Sequence, residues 1–164
     1  MIDNAVTIEE DYDPSREQHR AAKEETGFWG RRGAGCLFLS NQTERILFAH
    51  RSDEVLEPNT WGTWGGAIDI GEDPATAVRR EVVEETEYEG SVRLIPLVVF
   101  KHESGFRYHN FLAIVEDEFE PILNFENQGY AWVDFGKWPT PLHPGAKYLI
   151  HHSLATIRTA IREL

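Results

Sequence analysis

From Gly33 onward, short apolar runs alternate with stretches dense in Gly, Pro, Asn and Asp; before that point the chain is polar. Residues Met1 to about Gly27 carry few aliphatic side chains. Ser15 and Gln18 stand at capping-box spacing there, but no apolar stripe follows, which predicts an exposed, frayed helix or a partly disordered arm. A single domain over 28–164 is expected after it. GCLFLS reads as a buried strand and RILFAH as its hairpin partner, with NQTE as the turn between them. EPNTWGTWGGAIDIGEDP reads as a long irregular loop holding one short strand. Asp73 can cap a helix with Pro74 in its first position, running to about Thr86. SVRLIPLVVFKHE and GFRYHNFLAIVED form two strands joined at Ser104-Gly105, and GYAWVDF forms another. PTPLHPG is turn chemistry. A last helix from about Ala146 places Ile150, Leu154, Ile157, Ile161 and Leu164 in an apolar stripe.

Strands, a helix, more strands and a second helix predict a mixed sheet with helices packed on it, an α/β or α+β arrangement. The 164 residues suit one domain. The longest apolar run, Leu94 to Phe100, is far too short to span a bilayer, and no secretory signal is visible at the N-terminus. Cys36 is the sole cysteine, so no intrachain disulfide forms and a reducing, cytoplasmic setting is the simplest expectation. The net charge of −12 repels nucleic-acid backbones and argues against a polyanion-binding module. A protein this acidic that handles phosphates needs metal ions or a few placed arginines at its site.

The first helix carries the candidate chemistry. At about 100° per residue, Glu81, Glu84 and Glu85 share one face beside an apolar stripe of Ala75, Val78 and Val82, with Arg80 flanking them. As a stabilising device this is poor. Glu81 and Glu85 are like charges one turn apart, and Glu84, Glu85 and Glu87 crowd the end of the helix where the macrodipole disfavours anions. Two carboxylates about 5 Å apart repel by roughly 3 kcal/mol at an effective dielectric near 20. A hard divalent cation removes that penalty; a solvated acidic face is the alternative.

The stretch from Gly66 to Tyr88 resembles the signature of the Nudix hydrolases. Gly66, Glu72, Arg80-Glu81, Val82 and Glu84-Glu85 fall in register with it, while Glu87 stands where the family has a late glycine, followed by Tyr88 in an apolar place. The resemblance implies a Nudix-type mixed β-sheet sandwiched between helices. It implies Mg²⁺-dependent hydrolysis of a phosphoanhydride in a nucleoside diphosphate linked to another moiety, with Mn²⁺ as a substitute. ADP-ribose, a nucleotide sugar, a dinucleoside polyphosphate and a (d)NTP all fit that class. By resemblance, Glu81, Glu84 and Glu85 ligate the metal with a backbone carbonyl near Gly65, and Glu72 and Arg80 orient the cluster. The alternative is a non-catalytic Nudix-fold module that binds nucleotide or metal; such modules usually lose box glutamates, and this chain keeps them. Glu87 puts the helix exit in doubt, with Gly90 near enough to take over the turn.

The remaining candidates are read against the same background. The general base is expected from Glu81 or from a downstream loop, where Glu126 is favoured over Glu103. Arg51 ends a strand and is a candidate for a phosphate contact, against a surface ion pair. Trp61 and Trp64 suit core-lining more than base stacking. His143, His151 and His152 read as turn and helix-surface residues, and His102 and His109 as sheet histidines. The expected partner is a small nucleotide, with no nucleic acid and no membrane; a homodimer is left open.

Overall fold

A computed structural model describes residues 32–164. The N-terminal arm expected over 1–27, with Ser15 and Gln18, lies outside the described residues. Seven strands form one mixed sheet: β1 (Arg32–Ser40), β2 (Ile46–Arg51), β3 (Trp61–Gly62), β4 (Trp64–Ala67), β5 (Arg93–Lys101), β6 (Arg107–Val115) and β7 (Asn127–Val133). Among the described residues two helices cover it, α1 (Pro74–Thr86) and α2 (Pro144–Arg162). The expected helix-flanked mixed sheet is what the chain forms.

β1 is the central strand. It runs parallel to β6 along its whole length, while its first half pairs antiparallel with β4 and its last residues with β2. β1 is buried from Gly33 to Ser40 because both faces of the sheet are covered. Ala34, Cys36 and Phe38 face α1, where they pack with Ala77, Val78 and Val82. Leu37 and Leu39 face α2 and pack with Leu149, Ile150 and Ile157.

Three expectations are corrected. The long glycine-rich segment holds two short strands, β3 and β4, instead of one. α2 begins at Pro144, and its buried side is Ala146, Leu149, Ile150, Ser153, Ile157 and Ala160, whereas Leu154 and Leu164 are exposed. The reason is close approach: small side chains at 146, 153 and 160 bring the helix down on the sheet, and Ser153 Oγ accepts the Val98 N–H at 3.1 Å beside an irregularity in β5. Finally, Gly90 does not take over the exit of α1. Glu87 itself adopts the left-handed conformation at φ 57°, and its N–H closes on the Val83 carbonyl at 2.9 Å.

Candidate active site

α1 starts as its sequence dictates: Asp73 Oδ1 accepts the Thr76 N–H at 2.8 Å, and Pro74 fills the first turn. The side of the helix that meets β4 contains Glu81 and Glu85 as well as Val78 and Val82. Gly66 makes that packing feasible, since a Cβ there would stand 2.7 Å from Glu81 Oε1. At Gly65 a Cβ would stand 2.8 Å from the Tyr108 hydroxyl, and the backbone of this residue hydrogen-bonds the Glu85 carboxylate. Gly66 thus lets Glu81 lie flat against β4, while Gly65 lets β4 close onto Ala34 and Gly35 of β1.

Arg80 fixes the outer edge. Its Nε and Nη2 donate to the two Glu72 carboxylate oxygens at 3.0 and 2.9 Å, Nη1 donates to Glu81 Oε1 at 3.0 Å, and Nη2 also reaches the Ala67 carbonyl at 2.9 Å. This bidentate geometry holds the Glu72 carboxyl below its usual range. Glu84 sits farther out, half-exposed, 3.3 Å from the same Nη1.

Glu126 arrives from the loop before β7. It is 5% exposed, against 7% for Glu81 and 2% for Glu85, and its side chain hydrogen-bonds the Glu85 carboxyl. Burial, then the charge of Glu126, pushes Glu81 up to about 8 and Glu85 well above the usual carboxylate range. Glu85 Oε2 is buried with no hydrogen-bond partner. Among the described residues, no three acidic, imidazole or thiol side chains are yet drawn into a closed ligand shell. The donor set nevertheless suits a hard divalent cation: every nearby donor is oxygen, one is orphaned, and the excess charge is negative.

A cavity of about 200 Å³ opens beside this cluster. Phe100, Phe106 and Tyr108 wall it, and Arg51, Asn110 and His143 line it with polar groups. Arg51 is the seam: it is 5% exposed, and it interacts electrostatically with Tyr108 on one side and with Glu85 and Glu126 on the other. Its Nε donates to the Leu56 carbonyl at 2.9 Å, which pins the loop after β2.

The structure therefore brings Glu72, Arg80, Glu81, Glu85 and Glu126 together with Gly65 and Gly66, and keeps Glu84 at the rim. Glu103 lies exposed at the tip of the β5–β6 hairpin. Trp64 is fully buried, with its indole N–H on the Leu47 carbonyl, and Trp61 stacks on His50 at 4.2 Å; neither lines the cavity. His102 is tied to Ser104 at 2.8 Å, and His109 pairs along β1 and is half-buried. His151 and His152 are exposed on α2, as expected. His143 is not a simple turn residue: it caps α2 and lines the cavity. Sequence reasoning passed over Tyr108 and Asn110 as well. Their signal was Phe106, Tyr108 and Asn110 at strand period, placing a polar Asn in a stripe otherwise aromatic.

Known proteins share this family and fold. The NUDIX domain model matches residues 29–153, and the chain belongs to that family. It is a Nudix-type pyrophosphatase. A Bacillus subtilis (strain 168) protein named "Putative 8-oxo-dGTP diphosphatase" is 29% identical over 119 residues, covering 73% of this chain and 76% of that one. The crystal structure of the M. smegmatis Nudix hydrolase RenU superposes with a TM-score of 0.63 at 24% identity, over 84% of this chain and 89% of that one. A C. elegans Ap4A hydrolase in a binary complex gives 0.54 at 19% identity, over 80% and 93% of the two chains.

Proposed function

We propose that the protein uses Mg²⁺, with Mn²⁺ as a substitute, to hydrolyse a phosphoanhydride bond in a nucleotide whose base occupies the aromatic cavity. One observation carries this reading: Glu81, Glu85 and Glu126 are buried together, Glu85 Oε2 has no partner, and Arg80 is already shared between Glu72 and Glu81. Buried carboxylates without compensation are costly, so such a cluster is kept for a cation. Glu81, Glu84 and Glu85, with the carbonyl of Gly65, would hold the metal. When bound, it supplies charge neutralisation for the diphosphate and lowers the cost of deprotonating water.

The chain's own residues divide the remaining work. Arg80 and Glu72 hold Glu81 in orientation. Arg51 stands where phosphates leaving the cavity pass toward the carboxylates, and its cationic group steers and neutralises them. Glu126, facing Glu81 and Glu85 from the opposite loop, is the group we assign to accept a proton from the attacking water, with Glu81 as its alternate. The Bacillus subtilis relative is named for 8-oxo-dGTP, a purine nucleotide with a phosphoanhydride chain, which supports the class proposed here. Buried, unpaired Cys36 accords with a reducing, cytoplasmic setting.

A panel of nucleoside di- and triphosphates, dinucleoside polyphosphates and ADP-ribose, assayed with Mg²⁺ and with EDTA, tests the reading. Mg²⁺-dependent release of a nucleoside monophosphate is expected. Nucleotide binding with no turnover under any metal would identify a non-catalytic module instead.

A further inference from the structure

The carboxylate chemistry leaves the aromatic-walled cavity unused. Its walls are the rings of Phe100, Phe106 and Tyr108, which suit a planar heterocycle. His143 and Asn110 are among its polar lining groups, and both are oriented by the protein itself.

His143 precedes Pro144 as the N-cap of α2, and its Nδ1 accepts the Gly145 N–H at 2.8 Å. A ring nitrogen that accepts in this way carries no proton, so the neutral imidazole bears its hydrogen on Nε2. Burial, followed by the charge of Arg51, lowers its pKa to about 3 and keeps the ring neutral. Among the described residues no group takes the Nε2 hydrogen, and that atom is not sealed from solvent. Asn110, also in the lining, donates its Nδ2 hydrogen to the Val98 carbonyl at 3.0 Å, which leaves Oδ1 as an acceptor. Alongside Arg51, Glu57 and Thr63, which also line it, the cavity therefore offers a donor at His143 and an acceptor at Asn110 whose roles the protein itself fixes.

We propose that His143 is a specificity-determining residue that selects a 6-oxopurine nucleotide, of guanine or hypoxanthine type, over a 6-aminopurine. Its Nε2–H donates to the ring carbonyl, and Asn110 Oδ1 accepts a base N–H. Adenine presents an amino group where guanine presents O6, so two donors would face each other and both would stay unpaired in a confined site. This inference rests on the nucleotide-hydrolase reading and names the base class for the same site.

The test separates capping from recognition. His143→Ser keeps an oxygen able to cap α2 but removes the donor into the cavity; His143→Asn keeps a cap and an amide donor. For the full chain with Mg²⁺, kcat/KM for GTP and ITP is expected to exceed that for ATP by about tenfold or more, the scale of one buried hydrogen bond and one avoided mismatch. In His143→Ser the ratio should fall toward one with the melting temperature little changed, and His143→Asn should restore part of it. Equal use of ATP and GTP by the wild-type chain, or an unchanged ratio in His143→Ser, overturns the proposal. Calorimetric binding of GMP, IMP and AMP keeps the two readings apart. His143-dependent preference for GMP and IMP without turnover supports the base assignment and defeats the hydrolase. Metal-dependent turnover that ignores the base does the reverse, and no binding of any of the three defeats the base assignment.

Discussion

α1 and α2 flank the same sheet, yet the side each turns to it differs in kind. α2 buries Ala146, Leu149, Ile150, Ile157 and Ala160, and its one buried hydroxyl, Ser153, is satisfied by Val98. α1 buries Glu81 and Glu85 beside its valines and ends on a left-handed glutamate. α2 obeys the rules of stability; α1 breaks them at one corner. Local rules fail where a ligand is expected to complete the structure, and they hold where the chain is complete without one. The contrast extends to the ends nearest the site, since α2 presents its capped N-terminus to the cavity while α1 presents carboxylates to the neighbouring cluster.

The comparison breaks most decisively at Glu85. Glu85→Gln should lower Mg²⁺-dependent turnover by roughly 10²–10³-fold while raising the melting temperature of the metal-free protein, because a buried repulsion is relieved. Glu84→Gln should cost comparable turnover but give little stability, since Glu84 is half-exposed and already contacts Arg80. Wild-type turnover in either purified variant refutes the metal assignment. Ile157→Ala is the converse experiment on α2. Its side chain is fully buried, so denaturant titration should show a loss of about 2–5 kcal/mol, with unchanged activity per folded molecule.

Between these lies Arg80→Lys, which keeps the charge but loses the fork that grips Glu72 and Glu81; activity should fall about 10–100-fold. A Lys variant with full kcat would remove Arg80 from the positioning role. Acidity sharpens the same contrast. Glu81 is raised to about 8 by burial and by Glu126, so its contribution to stability is complete below about 4.5 and is lost as pH rises toward 8. In EDTA the melting temperature should therefore fall by a few degrees between roughly pH 5 and 8, and Mg²⁺ should restore it. A metal-free curve flat over that interval contradicts the coupled-carboxylate picture. The smallest effect is expected at the exit of α1, where Glu87→Gly should stabilise by about 1 kcal/mol without altering turnover.

α1 was legible because its information is local. The cap at Asp73, the proline at Pro74 and the spacing of Arg80, Glu81, Glu84 and Glu85 all lie within one helix, where periodicity fixes which side chains share a face. β1 was legible for a similar reason, an unbroken apolar run of strand length. Leu154 misled because a heptad-like stripe predicts which face is apolar, not how closely that face approaches the sheet. Small residues at 146, 153 and 160 settled the rotation of α2. The αL residue at Glu87 was an anomaly that the sequence flagged and that only the backbone could resolve.

By itself the sequence determined the helix of glutamates, the alternation of strands and helices, and the anionic excess that calls for a cation. Contacts remote in the chain decided the rest. β7 pairs with β2, and the register shift beside Arg51 brings the Ser52 N–H onto the Glu126 carbonyl, which places Arg51 and Glu126 at one seam. β3 and α2 then carry His143 to the mouth of a cavity walled by β5 and β6. No spacing rule along the chain encodes those meetings, because they depend on strand register and on how far each helix sinks onto the sheet.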